Sequence, residues 1–431
     1  MHRAISTGEA RRGYAEPLVL SVSEEEGMRM ALSGTEAGVA WLDNFSTGDR
    51  TLATRLLDAF VLDSWTIARA SLLELVRTEI GLAGSAGTVW VLPAMDSGDI
   101  RRAKTIGRFE PLTAFQNFEP GMDIPSMPGS EGLIGHLLRD IQGKGVLPPS
   151  APISKLRQKR VRTIIVVSDT IETGGQVGKY IQALLRNPTL KSWRSFHWIK
   201  VVVVAYAVSR DGERAISDHV FVDSLRFVRH APTIQSLPWT SQDIEAALRL
   251  CVDYGYGTDR LGYGDHGGLF GFQDRVPNTV PRIFRQRDGD WAPLFAGGGG
   301  RQVTSGMIRE LASSSEMPVA HDEIVAAVRQ ERLSISIRKH QRESNRDVLA
   351  ALALLRTSPQ RVDILGIALN MTQVEVEGLM AYLRTQGWID HTHNLTESGI
   401  AELAAGKRKP RRVEPRRTDV NPVPYYPESL R

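Results

Sequence analysis

Apolar residues fall first at helical spacing and then in short unbroken runs. Over residues 39–82, Trp41, Leu42 and Phe45 come first, then Leu52, Leu56, Leu57 and Phe60, then Leu72, Leu73, Leu75 and Val76. Steps of three and four of this kind predict helices. Residues 88–92, ended by Pro93, read as a buried strand. Residues 96–132 are rich in Gly, Pro, Ser and Asp and read as a long irregular segment. Residues 133–141 look helical, and 143–152 read as a breaker. A fully apolar run at 163–167 predicts a second strand, followed by a helix over 176–185. Residues 199–208 and 219–228 predict two more strands, and 241–252 a helix. Strands alternating with helices predict an α/β fold with a largely parallel sheet flanked by helices. Residues 254–300 are rich in Gly and aromatics and show little regular pattern.

Beyond the run of four glycines at 297–300, which marks a linker, the pattern becomes all-helical. Residues 305–345 predict one or two polar helices. Residues 347–405 then read as a winged helix-turn-helix. Helices over 348–355 and 362–369 precede a turn at Asn370 and Met371. Thr372 with Glu375 forms a capping box for a third helix ending near Gln386. Residues 387–395 read as a two-stranded wing, and Thr396 caps a last helix. The expected organisation is a lead-in (1–34), an α/β domain (35–297), a linker with polar helices (298–346), the winged module (347–405) and a basic tail (406–431).

A chain of 431 residues is long enough for two or three domains. The net charge of +4 misleads until it is located. Residues 407–417 hold seven Lys or Arg against Glu414, which leaves the rest of the chain slightly acidic. This segment is expected to be disordered, and Lys407, Arg408 and Lys409 are candidates for contact with nucleic-acid phosphates. The single cysteine, Cys251, excludes a disulfide scaffold and a multi-thiolate metal site, and fits a reducing cytoplasm. The ten histidines form no metal-binding spacing, so no metal site is expected from them. The longest apolar stretch, 198–208, is too short for a bilayer, which needs about 20 apolar residues. No membrane association is expected.

Residues 165–177 carry the strongest chemical signal. An apolar strand leads into Ser168 and Asp169, then into Thr173, Gly174, Gly175 and Gln176 as a helix begins. In an open α/β sheet, ligands bind at this kind of strand-to-helix crevice. The glycines allow close backbone approach, and the new helix offers unpaired amides to a phosphate. Asp169 is placed to accept hydrogen bonds from sugar hydroxyls. The segment resembles the phosphoribosyl diphosphate (PRPP) loop of type I phosphoribosyltransferases, whose pattern is two acids, three variable residues and Thr-Gly-Gly-Thr. Here Ser168 stands at the first acid and Gln176 at the last Thr. The resemblance implies that Asp169 holds the ribose and acts in catalysis. It implies that Thr173, Gly174, Gly175 and Gln176 hold the 5′-phosphate. Asp96 and Ser97, after the 88–92 strand, would face the diphosphate, with Mg²⁺ as the accompanying ion.

The stretch 270–295 contains Pro277-Asn-Thr-Val-Pro and Trp291-Ala-Pro-Leu-Phe. With Trp41-Leu-Asp-Asn-Phe, it resembles the phosphoribosyltransferase-like domains of bacterial conflict systems. In retron defence such a domain occurs beside a winged-helix protein. The resemblance implies an anti-phage effector that binds PRPP or a nucleotide-like ligand and acts on a glycosidic bond. Its partners would be a reverse transcriptase and an RNA–DNA hybrid. A second reading is a non-catalytic, PRPP-sensing regulator of the purine-repressor kind, and the departures at Ser168 and Gln176 suit it. The third helix of the winged module carries Glu375 and Glu377 against Arg384. Gln373 and Arg384 are its candidates for base or backbone contact, but such a helix is poorly charged for duplex DNA.

Overall fold

The computed structural model describes residues 31–95, 130–296, 304–313, 321–340, 343–359 and 362–407, apart from Ala86, Asp140, Gln142, Lys144, Ser150 and Asp288. A two-stranded parallel pair joins β1 (Val61–Asp63) to β7 (Phe270–Phe272). The main sheet holds β2 (Thr88–Pro93), β3 (Val146–Leu147), β4 (Val161–Ile171), β5 (Lys200–Val208) and β6 (Ser224–His230) in the order β3-β2-β4-β5-β6. Every pairing in it is parallel. The unbroken apolar runs of β4 and β5 follow from burial on both faces. Ile165, Val167, Val202 and Val204 pack with α3 (Trp65–Gly84) and α4 (Ser130–Arg139). Ile164, Val166, Val201 and Val203 pack on the other side with α5 (Ile153–Gln158), α6 (Gly175–Leu184), α7 (Pro188–Ser195) and α8 (Arg210–Ser217). This is the expected α/β architecture.

Several boundaries correct the sequence reading. The expected strand at 163–167 extends through Ile171, so Asp169 lies inside β4 and not at its end. The strand expected from His219 starts only at Ser224. The breaker at 143–152 holds the short β3, because its backbone can pair with β2 at Val89 and Trp90. The helical reading of 39–82 misses β1, which lies between α2 (Arg50–Asp58) and α3.

The two ends of this domain meet in a core of their own. Trp41, on α1 (Glu36–Leu42), stacks on Phe284 with ring centroids 4.9 Å apart. Its indole Nε1 donates to the Ile283 carbonyl at 2.7 Å. Asn44 and Ala292 exchange two hydrogen bonds of 2.9 Å. Leu56, Leu57, Phe60, Phe284, Leu294 and Phe295 complete this core with Cys251 of α9 (Ser241–Tyr254). The early Trp-Leu-Asp-Asn-Phe segment and the late Trp-Ala-Pro-Leu-Phe segment are therefore two halves of one unit. The glycine run at 297–300 lies outside the described residues.

The C-terminal region contains α10 (Ser305–Ser313), α11 (His321–Ala327), α12 (Glu331–His340), α13 (Glu343–Thr357), α14 (Asp363–Ala368), α15 (Gln373–Thr385) and α16 (Glu397–Gly406). The described residues of 305–340 thus form three helices, where the sequence predicts one or two over 305–345. Val325, Leu333 and Ile337 share a core with α13 to α16. The Thr372–Glu375 capping box forms as expected, and Thr396 accepts from the Gly399 amide. The expected two-stranded wing is reduced to one antiparallel bridge between Ile389 and Leu395. Asp390 Oδ1 accepts from the amides of Thr392 and Asn394 and closes a tight turn on one side, and on the other Thr396 leaves the pairing to cap α16.

The winged module docks on β6. Both α14 and α15 pack against this edge strand. Arg229, buried on β6, donates to Asn370 Oδ1 at 2.7 Å and to Asp63 of β1 at 3.1 Å. Tyr206 donates to the same Asp63 at 2.9 Å. A Cβ on Gly366 would stand 3.6 Å from the His230 ring, so α14 lies close against the strand.

Candidate functional site

The strand order places a topological switch point between β2 and β4, because the chain leaves β2 toward β3 on one side and β4 toward β5 on the other. Crevices of this kind at the carboxyl ends of strands receive ligands in open α/β sheets. Ala94, just past β2, donates its amide to the Val167 carbonyl at 2.7 Å, which holds the two strand ends together. Asp96 and Ser97, expected to face a diphosphate, lie outside the described residues.

From β4 the chain passes through Glu172, Thr173 and Gly174 into α6. Gly174 has φ +72°, the left-handed region that favours glycine. A Cβ there would stand 2.8 Å from the Cβ of Ala215 on α8. Gly212, also on α8, presses against the Ile171 carbonyl, where a Cβ would stand 2.4 Å away. Ser209 completes the support: its hydroxyl donates to the Glu172 carbonyl and accepts from the Gly212 amide. The turn is thus built on α8, and the residues that fix it were not legible as a motif. Thr173 Oγ1 accepts a long hydrogen bond from the Gly175 amide at 3.4 Å. Gly175 and Gln176 are exposed at the start of α6. Amides in the first turn of a helix have no intrahelical partner and favour an anion.

The carboxylates behind the loop are engaged. Asp169 is 6 % exposed. Its Oδ1 accepts from the Thr170 amide at 2.7 Å, and its Oδ2 from Arg275 Nη2 at 3.2 Å. The Arg275 guanidinium lies over the rings of Trp65 and Phe272, at 4.3 and 4.7 Å, and also pairs with Asp274. As placed, Asp169 meets a ribose hydroxyl only where Arg275 gives way. Ser168 donates its hydroxyl to the Thr170 carbonyl at 2.9 Å. Glu172 is buried and pairs with buried His266 at 2.7 Å. Its Oε1, and Oγ1 of nearby Thr279, have no hydrogen-bond partner among the described residues.

Sequence reasoning did not single out Glu172, His266 or Arg275. Glu172 lies inside the quoted loop segment, and Arg275 directly before the Val-Pro-Asn stretch, so proximity to those motifs was the available signal. Among the described residues no group of three or more His, Cys, Asp or Glu gathers as a metal site. Asp169 is held by Arg275, and Ser168 brings no carboxylate. As placed, Ser168 and Asp169 do not fit a protein-held Mg²⁺, and Asp96, where Mg²⁺ is expected, lies outside the described residues.

The nucleic-acid candidates are placed less favourably. Gln373 donates to Glu377 at 3.1 Å, and Arg384 contacts His393 at 2.7 Å. Both are occupied within the module. Lys407 follows α16, while Arg408 and Lys409 lie outside the described residues.

The family model PRTase-CE matches residues 39–296. The chain belongs to the PRTase-CE family. The match runs from α1 to the end of the aromatic core that joins both ends of the domain, so the PRTase-CE domain is the whole α/β unit. A second family model, wHTH-PRTase associated, matches residues 349–431 and runs on through the basic segment. The protein is thus a phosphoribosyltransferase-like domain followed by a C-terminal winged helix-turn-helix. No curated protein and no solved structure matches it. Among the described residues, no helix is long and apolar enough to cross a membrane.

Proposed function

We propose that the PRTase-CE domain binds a phosphorylated ribose, PRPP or a nucleotide-like ligand, in the crevice between β2 and β4. The reading rests on one observation: a left-handed Gly174 opens α6 at the switch point of a parallel sheet, with exposed Gly175 and Gln176 in its first turn. That turn would hold the phosphate. Asp169, once exchanged from Arg275, would hold the ribose hydroxyls. Any Mg²⁺ would arrive on the diphosphate. The biological role that fits is an anti-phage effector of the retron type, held by a reverse transcriptase and its RNA–DNA hybrid in the cytoplasm. The pairing of a PRTase-CE domain with a wHTH-PRTase associated domain in one chain supports it.

A non-catalytic sensor is the second reading, favoured by the engaged Ser168 and Asp169. Calorimetry with PRPP and Mg²⁺, followed by an assay of diphosphate release with candidate acceptors, separates the two. Binding with release supports an enzyme acting on a glycosidic bond. Binding without release supports the sensor. Absence of binding to PRPP, ribose 5-phosphate and nucleotides overturns the proposal. In phage-challenged cells, loss of protection in Asp169→Asn with the protein still folded and at its wild-type level supports the effector role, and full protection counts against it.

A further inference from the structure

The recognition helix carries one cation, Arg384, and a denser group of cations lies elsewhere in the C-terminal region. Arg329 precedes α12, Arg332 lies in its first turn, Arg356 sits in the last turn of α13, and Lys407 follows α16. Arg329, Gln330, Glu331, Arg332 and Lys407 line one cavity of about 360 Å³. Gly406 sets the position of Lys407. A Cβ there would meet Leu349 at 2.6 Å and Leu333 at 3.2 Å, so the end of α16 is pressed onto α12 and α13. Burial and the charges of Arg356 and Arg332 hold the Lys407 ammonium below its ordinary range. Arg329 is held at φ +59°, a left-handed conformation with a steric cost for a residue bearing a Cβ. One carboxylate, Glu331, stands among these groups. Like charges brought together around a cavity favour an anion.

The recognition helix has the opposite character. Gln373 is turned onto Glu377 and Arg384 onto His393, and α15 packs against β6. Its first turn carries Glu375, engaged in the capping box. We propose that Arg329, Arg332, Arg356 and Lys407 form a basic cup that binds the phosphodiester backbone of nucleic acid, and that the recognition helix does not read bases. Spread over three helix ends and mostly exposed, these cations suit an extended polyanion better than a single enclosed phosphate. Beyond Lys407 the sequence continues as Arg408-Lys409-Pro410-Arg411-Arg412, which is also basic.

The test uses the full chain, fluorescence anisotropy, and labelled duplex DNA, single-stranded DNA and RNA of mixed sequence over a series of salt concentrations. The wild type should bind, with affinity falling steeply as salt rises. The triple variant Arg332→Gln, Arg356→Gln and Lys407→Gln should lose about tenfold in affinity and flatten the log–log salt slope by about 2–3, near 0.9 for each lost phosphate contact on duplex. Gln373→Ala with Arg384→Ala should stay within about twofold. Lys407→Gln alone should flatten the slope by about 1, which keeps the test open if the triple variant misfolds. Absence of wild-type binding, an unchanged triple variant, or loss of binding in the recognition-helix variant would overturn the proposal. The result does not depend on PRPP binding, so either proposal can fail alone.

Discussion

Asp169 and Arg275 stand 106 positions apart in sequence and meet at 3.2 Å. Both side chains are mostly buried, and two aromatic rings hold the guanidinium in place. Removing one partner leaves the other charge with too few contacts. Asp169→Asn and Arg275→Gln should each destabilise the domain, and the double variant should cost less than the sum. A double-mutant cycle read by urea unfolding should give a coupling of about 0.5–3 kcal/mol. Strict additivity would mean that the pair contributes nothing to the fold.

Gly174 and Gly175 are adjacent yet should respond differently. Gly174→Ala puts a Cβ into left-handed backbone, at about 1–2 kcal/mol, and against Ala215. At Gly175 a Cβ makes only ordinary contact with Thr173 at 3.5 Å. Thermal unfolding should show a clear loss for Gly174→Ala and little change for Gly175→Ala. PRPP binding should be lost in the first variant.

Asn370 supplies the winged module's hydrogen bond to buried Arg229, and its own φ is +56°. Asn370→Gly keeps that backbone without strain and removes only the bond. An unpaired buried donor costs about 1–3 kcal/mol. Hydrogen exchange in α14 and at the start of α15 should rise in this variant, while exchange in β4 stays as in the wild type.

The same interface should respond to acid. Burial pushes the imidazole of His230 below its ordinary value, outweighing the pull of Asp363, while Arg229 adds to the lowering. The folded protein therefore keeps His230 neutral, and the unfolded chain takes up the proton first. Stability from this group is complete above about pH 6.5 and falls as pH drops through the folded value. Glu213, which faces His230 and is held above its ordinary range by burial, works the other way and offsets part of the loss. Urea midpoints measured from about pH 7.5 to about 5.5 should fall further in the wild type than in His230→Gln. Parallel curves would assign the acid response elsewhere.

Local order along the chain was legible, and long-range order was not. The strands β4 and β5 announce themselves because both faces are buried and their central runs, Ile164–Val167 and Val201–Ala205, are wholly apolar. The helix α8 does not, since Arg210, Asp211, Glu213 and Arg214 cover its outer face and Ile216 is its one large apolar anchor. The three-residue β1 is stabilised by Phe270–Phe272, more than 200 positions away, and no local pattern encodes that pairing. At the site, Gly174 and the start of α6 follow from the loop residues themselves. The engagement of Asp169 by Arg275, and of Glu172 by His266, depends on how the late aromatic segment folds back over the sheet.

The strand β6 would be the open border of the sheet without α14 and α15 against it. A border strand with bare amides and carbonyls recruits further strands from other molecules. A fragment cut at the glycine run should therefore clump through its own sheet, and assays run on it would measure the aggregate and not the domain.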